Sequence, residues 1–381
     1  HDILRSGNAH LNHLSPTIAM YLYCRSFYLE DKPVPDFAKD AVDYFIGQTK
    51  KYWVEVPNRQ SQGHLALAMH RLDEKKTAKD IMRSIKQRSV TDQELGRFWR
   101  DTEMSHWWYR APIETQALMI EAFDEVMGDE KAVEDCRVWL LKQKQTQDWK
   151  TTKATADAIY GLLLRGKNLL GSDALVEVAV GGHAIKPEKV EAGTGFYEKR
   201  FDGSEVEANF GKITLKKVDE GVSWGSVHWQ YMEDIGKITV HEGKELKLTK
   251  SIYLKKHTKE GPKLFPANGK AKVGDELVVR IELRADRDME YLHMKDHRPS
   301  GSEPVNVFSR YKYQDGLGYY EATKDTATHF YIDYLPKGTY VFEYSLRIQH
   351  RGQYQTGMTN IQCMYAPEFN SHSQSFALKV E

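Results

Sequence analysis

At 381 residues, with 54 basic and 54 acidic side chains and 40% apolar residues, the chain is long enough for two or three packed domains and carries no formal net charge. That balance excludes the basic footprint of nucleic-acid binding and gives no attraction to an anionic membrane, and no apolar run reaches membrane-spanning length. The three cysteines, Cys24, Cys136 and Cys363, are far apart and odd in number, which argues against a disulfide framework or a zinc ribbon.

In chain order, Ser15-Pro16 is a helix N-cap followed by proline in the first turn, and Ile18, Leu22 and Phe27 mark a helix running to about Leu29. Asp36 is read as the cap of a second helix with Phe37, Ala41, Tyr44 and Phe45 on its apolar side. Ser61 opens a third, to Leu72, and Lys75 to Gln87 is a fourth with Ala78, Ile81, Met82 and Ile85 in one stripe. The fifth, Ala111 to Phe123, has Pro112 at its start, Gly128 just past its end, and apolar residues on two sides. Asp129 caps a sixth, and Thr151 or Thr152 a seventh that stops at Gly166.

The odd-numbered helices read as apolar nearly all round and the even-numbered ones as one-sided. Ala19, Ala66, Ala117 and Ala158 fall at similar places in the odd helices, separated by 47, 51 and 41 residues, the period of a helical-hairpin repeat. Alternating buried and half-buried helices predict an α/α toroid, with an open helical-repeat array as the alternative. A closed ring needs roughly twelve helices. With about seven legible and a start at His1-Asp2-Ile3, without initiator Met, signal peptide or lipidation motif, the chain is read as a fragment of something longer.

After Gly171 the period changes to two. Leu175 to Val180, Ile213 to Lys217 and Val222 to Tyr231 read as strands. From about Lys237 a longer series begins, with Leu277, Val279, Ile281 and Leu283 on one face of one strand, and Tyr340, Phe342, Tyr344, Leu346 and Ile348 on one face of another. The expected fold class is multidomain α and β: a partial α/α toroid at 1–173, a small β module at 174–235 and an antiparallel β-sandwich at 236–381.

Gly221-Val222-Ser223-Trp224-Gly225 has the spacing of a nucleophile elbow, but the residues after it read as strand, not helix, so no nucleophile is expected. His293, Asp296 and His297 lack a third ligand on one strand face, and His10 and His13 lack the Glu of a helical zinc motif; no metal or cofactor is expected. The one enzymatic candidate is the loop before the fifth helix, with Asp101, Glu103, His106, Tyr109 and Arg110 as acid/base types and Trp107 and Trp108 as stacking surfaces. A toroid followed by a sandwich is also the plan of many polysaccharide lyases and glycosidases, which is the alternative reading of function.

WYRAPIETQALMIEAF (Trp108 to Phe123) and WKTTKATADAIYGLL (Trp149 to Leu163) resemble the second half of the thioester-domain toroid of bacterial alpha-macroglobulins. GVSWGSVHWQY (Gly221 to Tyr231) resembles a strand of the flanking CUB-type module. RDMEYLHMKDHRPSGSEPV (Arg287 to Val305), DYLPKGTYVFEYSLR (Asp333 to Arg347) and QCMYAPEF (Gln362 to Phe369) resemble the last macroglobulin-type sandwich. The resemblance implies the C-terminal part of a protease trap, not an enzyme: proteases are the partners of the intact parent, a bait segment is cut, and an internal thioester captures amines of the attacker. It also implies the periplasm or outer surface of a Gram-negative cell, with a lipid anchor on the parent. The thioester motif, a Cys-Gly/Leu-Glu-Gln run, does not occur in this sequence. In thioester-bearing members a sandwich loop sets a Tyr over the thioester; the matching stretch is Arg310 to Asp325, with Tyr311, Tyr313, Tyr319 and Tyr320 as unranked candidates.

Overall fold

A computed structural model describes residues 3, 7–101, 111–164, 174–190, 195–219, 223 and 225–381. The chain divides into two compact units, one of His1–Lys142 with Trp149–Gly225, the other of Gln143–Asp148 with Ser226–Glu381.

The first unit runs through α1 (Pro16–Ser26), α2 (Asp36–Tyr52), α3 (Arg59–Arg71), α4 (Lys75–Gln87), a hairpin of β1 (Val90–Asp92) and β2 (Gly96–Phe98), then α5 (Pro112–Ala122), α6 (Glu130–Thr146) and α7 (Thr152–Leu164). Local chemistry sets most of these ends. The Ser15 hydroxyl accepts from the Ile18 amide at 3.2 Å, Asp129 Oδ1 from Ala132 at 3.1 Å, and Thr151 Oγ1 from Ala154 at 3.0 Å, so three predicted caps hold. Two do not. Asn58, not Ser61, caps α3, accepting from the Ser61 amide at 2.8 Å, and α2 starts after Pro35 with no side-chain cap. α5 continues into a π-helical turn, Phe123–Met127, before Gly128 ends it in the left-handed region at φ 58°.

The small-residue repeat marks where helices touch: Ala19, Ala66, Ala117 and Ala158 are all buried. At Gly161 in α7 an added Cβ would lie 3.3 Å from Ala117 Cα, and at Gly63 in α3 it would lie 2.5 Å from Met119 Cε, so the chains approach as only small residues permit. Tyr23 meets His64 and Ser26 meets Arg71, while Gly63 meets Met119 and Arg71 meets Glu121 and Glu125. In each pair both partners advance along the chain together, so α1, α3 and α5 run parallel. α3 and α5 are buried along nearly their whole length and α4 buries only its predicted stripe. The all-round apolar reading of α1 and α7 is corrected: α1 buries only Ala19, Leu22 and Ser26, and Ile159 and Leu163 of α7 are exposed. In α2 the buried residues are Val42, Gln48 and Thr49, while Phe37 is 85% exposed and Ala41 also faces solvent. Counting apolar residues finds a stripe but not the neighbour that covers it.

Buried polar groups lock this unit. Arg71 bridges Glu121 at 2.6 Å and Glu125 at 2.7 Å and donates to Ser26 Oγ, and the Tyr23 hydroxyl donates to Glu121 at 2.7 Å. His64 stacks on Tyr23 at 4.8 Å, and burial, with Lys153 adding to it, lowers its pKa from 6.5 to about 3. A histidine held neutral by the fold contributes its full stability above the unfolded pKa. That stability falls as pH drops from about 6.5 toward 3, by about 1.4 kcal/mol per pH unit. Thermal unfolding of the chain between pH 7 and 5 is expected to show this loss, and His64→Gln to flatten it; equal pH slopes in the two proteins would refute the assignment.

Also in the first unit, β3 (Glu177–Val180), β4 (His183–Ala184) and β5 (Ile213–Lys216) form a three-stranded sheet in the order β4-β3-β5. Two of the predicted strands are present within a residue or two of their expected ends. The third, Val222 to Tyr231, is not: 223 and 225–232 carry no strand pairing, and the remaining residues lie outside those described. Val227, Trp229, Tyr231 and Met232 are exposed, so an alternating pattern is present without a sheet to receive it.

The second unit is the expected sandwich. Its strands are β6 (Leu246–Thr258), β7 (Gly261–Pro266), β8 (Lys270–Ala271), β9 (Glu276–Ala285), β10 (Met289–His297), β11 (Ser302–Pro304), β12 (Arg310–Gln314), β13 (Leu317–Thr323), β14 (Ala327–Leu335), β15 (Gly338–Ile348), β16 (Gly352–Gln355), β17 (Thr359–Cys363), β18 (Asn370–His372) and β19 (Ala377–Val380). One sheet has the order β12-β13-β14-β10-β17-β18 and the other β11-β15-β9-β6-β7, all antiparallel. A third, β16-β19-β8, contains one short parallel pair, Lys379↔Lys270 and Val380↔Ala271. Leu277, Val279, Ile281 and Leu283 are fully inside, as their alternation predicts, and Phe342, Leu346 and Ile348 join them.

One ion pair crosses this core. Lys250 of β6 lies 2.6 Å from Asp296 Oδ1 of β10, so it ties one sheet to the other, and both side chains are shut off from solvent. The ammonium also donates to the carbonyls of His297 (2.9 Å), Gly357 (3.1 Å) and Thr356 (3.2 Å). The carboxylate accepts from the Thr359 and Tyr344 hydroxyls.

Candidate functional site: the tyrosine hairpin of the sandwich

The four candidate tyrosines lie on one hairpin. Gln314 pairs with Leu317, which leaves Asp315-Gly316 as a two-residue loop, and both of its residues have positive φ, 52° and 80°. An Asp-Gly loop of this kind matches the twist of the flanking strands and pins the register of β12 on β13. That register separates the candidates. Tyr319 points inward, 4% exposed, packed on Phe342 at 5.1 Å and Phe330 at 6.0 Å, and burial raises its pKa to about 12. Tyr320 points outward and meets Tyr311 edge-on at 4.9 Å. Tyr311 and Tyr313, 77% and 79% exposed, stand on edge strand β12.

The outward tyrosines continue into a ladder that sequence reasoning missed. Tyr311 is opposite Tyr320, Tyr320 opposite Tyr331, and Tyr331 opposite His293, one ring from each of four adjacent strands. Tyr331 and His293 stack at 4.8 Å and 7°, and His293 stacks on His329 at 5.1 Å with Nε2 and Nδ1 2.9 Å apart. One of these nitrogens donates and the other accepts, so the pair cannot hold protons on both. Burial, followed by Lys295 beside His293 and by His293 beside His329, lowers both pKa values. The available signal was the Asp-Gly turn with alternation on either side, which sets the register from which the ladder follows.

His293, His329 and Tyr331 stand nearly parallel to one another on the sheet, while Tyr311 meets Tyr320 edge-on. The arrangement suits contact with another surface and contains no nucleophile paired with a base. Asp296 points to the core while His293 and His297 point away from it, so the imagined metal set does not converge. Among the described residues no group of three His, Cys, Asp or Glu side chains is placed to hold a metal. Of the alternative loop, only Asp101 is described; it lies 3.4 Å from Arg59, whose pKa is lowered chiefly by burial. Glu103, His106, Trp107, Trp108, Tyr109 and Arg110 lie outside the described residues, as do Gly221, Val222 and Trp224 of the elbow-like run.

Residues 246–368, which span the hairpin and the ladder, match the family model of the bacterial alpha-2-macroglobulin MG10 domain. The sandwich thus matches a bacterial alpha-macroglobulin domain. The resemblance to the bacterial alpha-macroglobulins is thereby borne out. Among solved structures, the chain is similar to Escherichia coli alpha-2-macroglobulin activated by porcine elastase, at 12% identity and TM-score 0.40, over 96% of this chain and 31% of that one. It is also similar to the trypsin-activated Escherichia coli protein, at 11% and 0.41, over 96% and 24%. For the native Escherichia coli protein spanning MG7 to the C-terminus the values are 10% and 0.32, over 96% and 55%. The chain thus spans under a third of the first two macroglobulins and about half of the third. No curated protein matches.

Proposed function

We propose that this chain works as part of a protease-trapping inhibitor of the alpha-macroglobulin type and performs no catalysis itself. The observation that carries the reading is the MG10 match over the sandwich. In this reading 1–173 is the thioester-domain-like part, 174–235 belongs to a CUB-like module and 236–381 is the closing sandwich. Support for the middle assignment is physical. Phe210 is the one buried apolar side chain among the described residues of 174–235, while Phe196, Leu215, Val227 and Trp229 are exposed, a surface that further strands of the parent would cover. The parent would act in the cell envelope and meet proteases there.

The test is made on the parent protein. After mixing with trypsin or elastase, the protease should still cleave a small chromogenic peptide while losing activity on a large protein substrate. Loss of neither activity, or of both, would reject trapping. Should the parent carry a thioester, the outward Tyr311, Tyr313 and Tyr320 are the better placed of the four shielding candidates, and Tyr319, inside the core, is the least suited. Tyr311→Ala or Tyr313→Ala is then expected to speed methylamine incorporation about tenfold or more, since the exposed rings would exclude water and amine. Tyr319→Ala is expected to destabilise the sandwich by about 3–5 kcal/mol, as a buried aromatic truncated to Ala does. Equal methylamine rates in all variants would remove the shielding role.

A further inference from the structure

The sandwich contains a cavity of about 220 Å³, lined in part by the inward side of the hairpin and apart from the outward ladder. Each sheet sends one charge pair to line it. Lys312 of β12 meets Glu321 of β13 at 2.7 Å, and Lys255 of β6 meets Glu276 of β9 at 2.8 Å, directly opposite in register. Glu321 is almost fully buried, and Lys255 holds the Glu276 carboxyl below its usual pKa. Asn306 stands at the rim.

We propose that this cavity binds a neutral polyhydroxylated molecule of monosaccharide size. Volume sets the first limit: at ~30 Å³ per water the space holds about seven waters, enough for one sugar ring and too little for a peptide or an oligosaccharide. Charge sets the second. Both carboxylates are already paired, Glu276 with Arg347 at 3.7 Å as well as with Lys255, so no free carboxylate remains for a cation and no free ammonium for an anion. The lining itself is mixed, with Pro304 and Val305 beside the ion pairs, hydroxyls and amide, and a sugar ring likewise carries both C–H and O–H edges. Each Lys–Glu pair places a charged donor beside a charged acceptor, an arrangement that two neighbouring hydroxyls of a polyol satisfy at once. The Asn306 amide at the rim supplies a further partner. The site lies within the sandwich alone and is independent of protease trapping.

The experiment is saturation-transfer NMR on the 381-residue chain with glucose, N-acetylglucosamine and myo-inositol as neutral probes and glycine, lysine and glutamate as ionic ones. At least one neutral probe should show transfer, with affinity around millimolar, as suits a ligand of so few atoms. Glu321→Gln and Asn306→Ala should each weaken it about tenfold, the loss expected when a buried polar partner goes unmatched. Asn306 is exposed, so its variant keeps the test open if Glu321→Gln unfolds the sandwich. Transfer from none of the neutral probes, transfer only from the ionic ones, or transfer unchanged in Asn306→Ala would each overturn the proposal.

Discussion

Lys250→Met is expected to destabilise the sandwich by about 3–5 kcal/mol, because it leaves the Asp296 carboxylate charged in a core from which water is excluded. The Thr359 and Tyr344 hydroxyls still donate to that carboxylate but supply no opposite charge. Adding Asp296→Leu should recover the part of the cost due to charge. It should not recover all of it, since the carbonyls of His297, Thr356 and Gly357 would remain without the ammonium they now share. Urea unfolding of the two variants, followed by near-ultraviolet circular dichroism, separates these terms. A double variant no more stable than Lys250→Met at pH 7 would show that the pair's charge is not what the core depends on.

Gly96→Ala is expected to cost the helical unit about 2–5 kcal/mol, combining left-handed backbone strain of roughly 1–2 kcal/mol with an overpacking cost of about 1–3 kcal/mol. Gly96 opens β2 with φ 76°, and an added Cβ would lie 2.1 Å from the Asp135 carbonyl oxygen and 3.1 Å from the Trp139 amide nitrogen. Both are backbone atoms of α6, so relief requires the β1–β2 hairpin or the helix to move. Gly128→Ala is the control within the same unit. Its φ of 58° is also left-handed, yet nothing lies within 4 Å of the added Cβ, so it should cost only about 1–2 kcal/mol. Thermal unfolding by far-ultraviolet circular dichroism compares the two. Equal shifts would mean that the hairpin gives way to the clash at little cost.

The fold was legible wherever one residue pattern had one physical solution. Lys75 to Gln87 has a single apolar stripe and polar residues elsewhere, and α4 forms over those residues with that stripe buried. The strand at Leu277 to Leu283 alternates cleanly and buries the expected face. Where apolar residues occupied two sides, as in α1 and α7, no local rule said how many neighbours there would be, and the prediction of full burial failed. At Val222 to Tyr231 the alternation was real, but a strand also needs a sheet edge to pair with, and 223 and 225–231 have none.

The site divided in the same way. The stretch from Arg310 to Asp325 could be singled out, but its four tyrosines could not be ranked, because tyrosine is at home on either face of a strand. The hairpin register decided the matter: Tyr319 faces the core, and Tyr311, Tyr313 and Tyr320 do not. His293 and His297, with Asp296 between them, could be imagined as metal ligands from their spacing, but no third ligand was evident. An offset of three along a strand puts Asp296 on the face opposite His293, which stacks on His329 while Asp296 pairs with Lys250.

By itself, the sequence determined the order of helices and strands, the small-residue repeat at which the helices meet, and the kinship to bacterial alpha-macroglobulins, since these depend on periods and motifs carried within short stretches. The tertiary structure alone decided the aromatic ladder, the Lys250–Asp296 tie between sheets and the paired-charge cavity. Each is made by residues from separate strands, brought together by register and sheet packing, which no local stretch of the chain encodes.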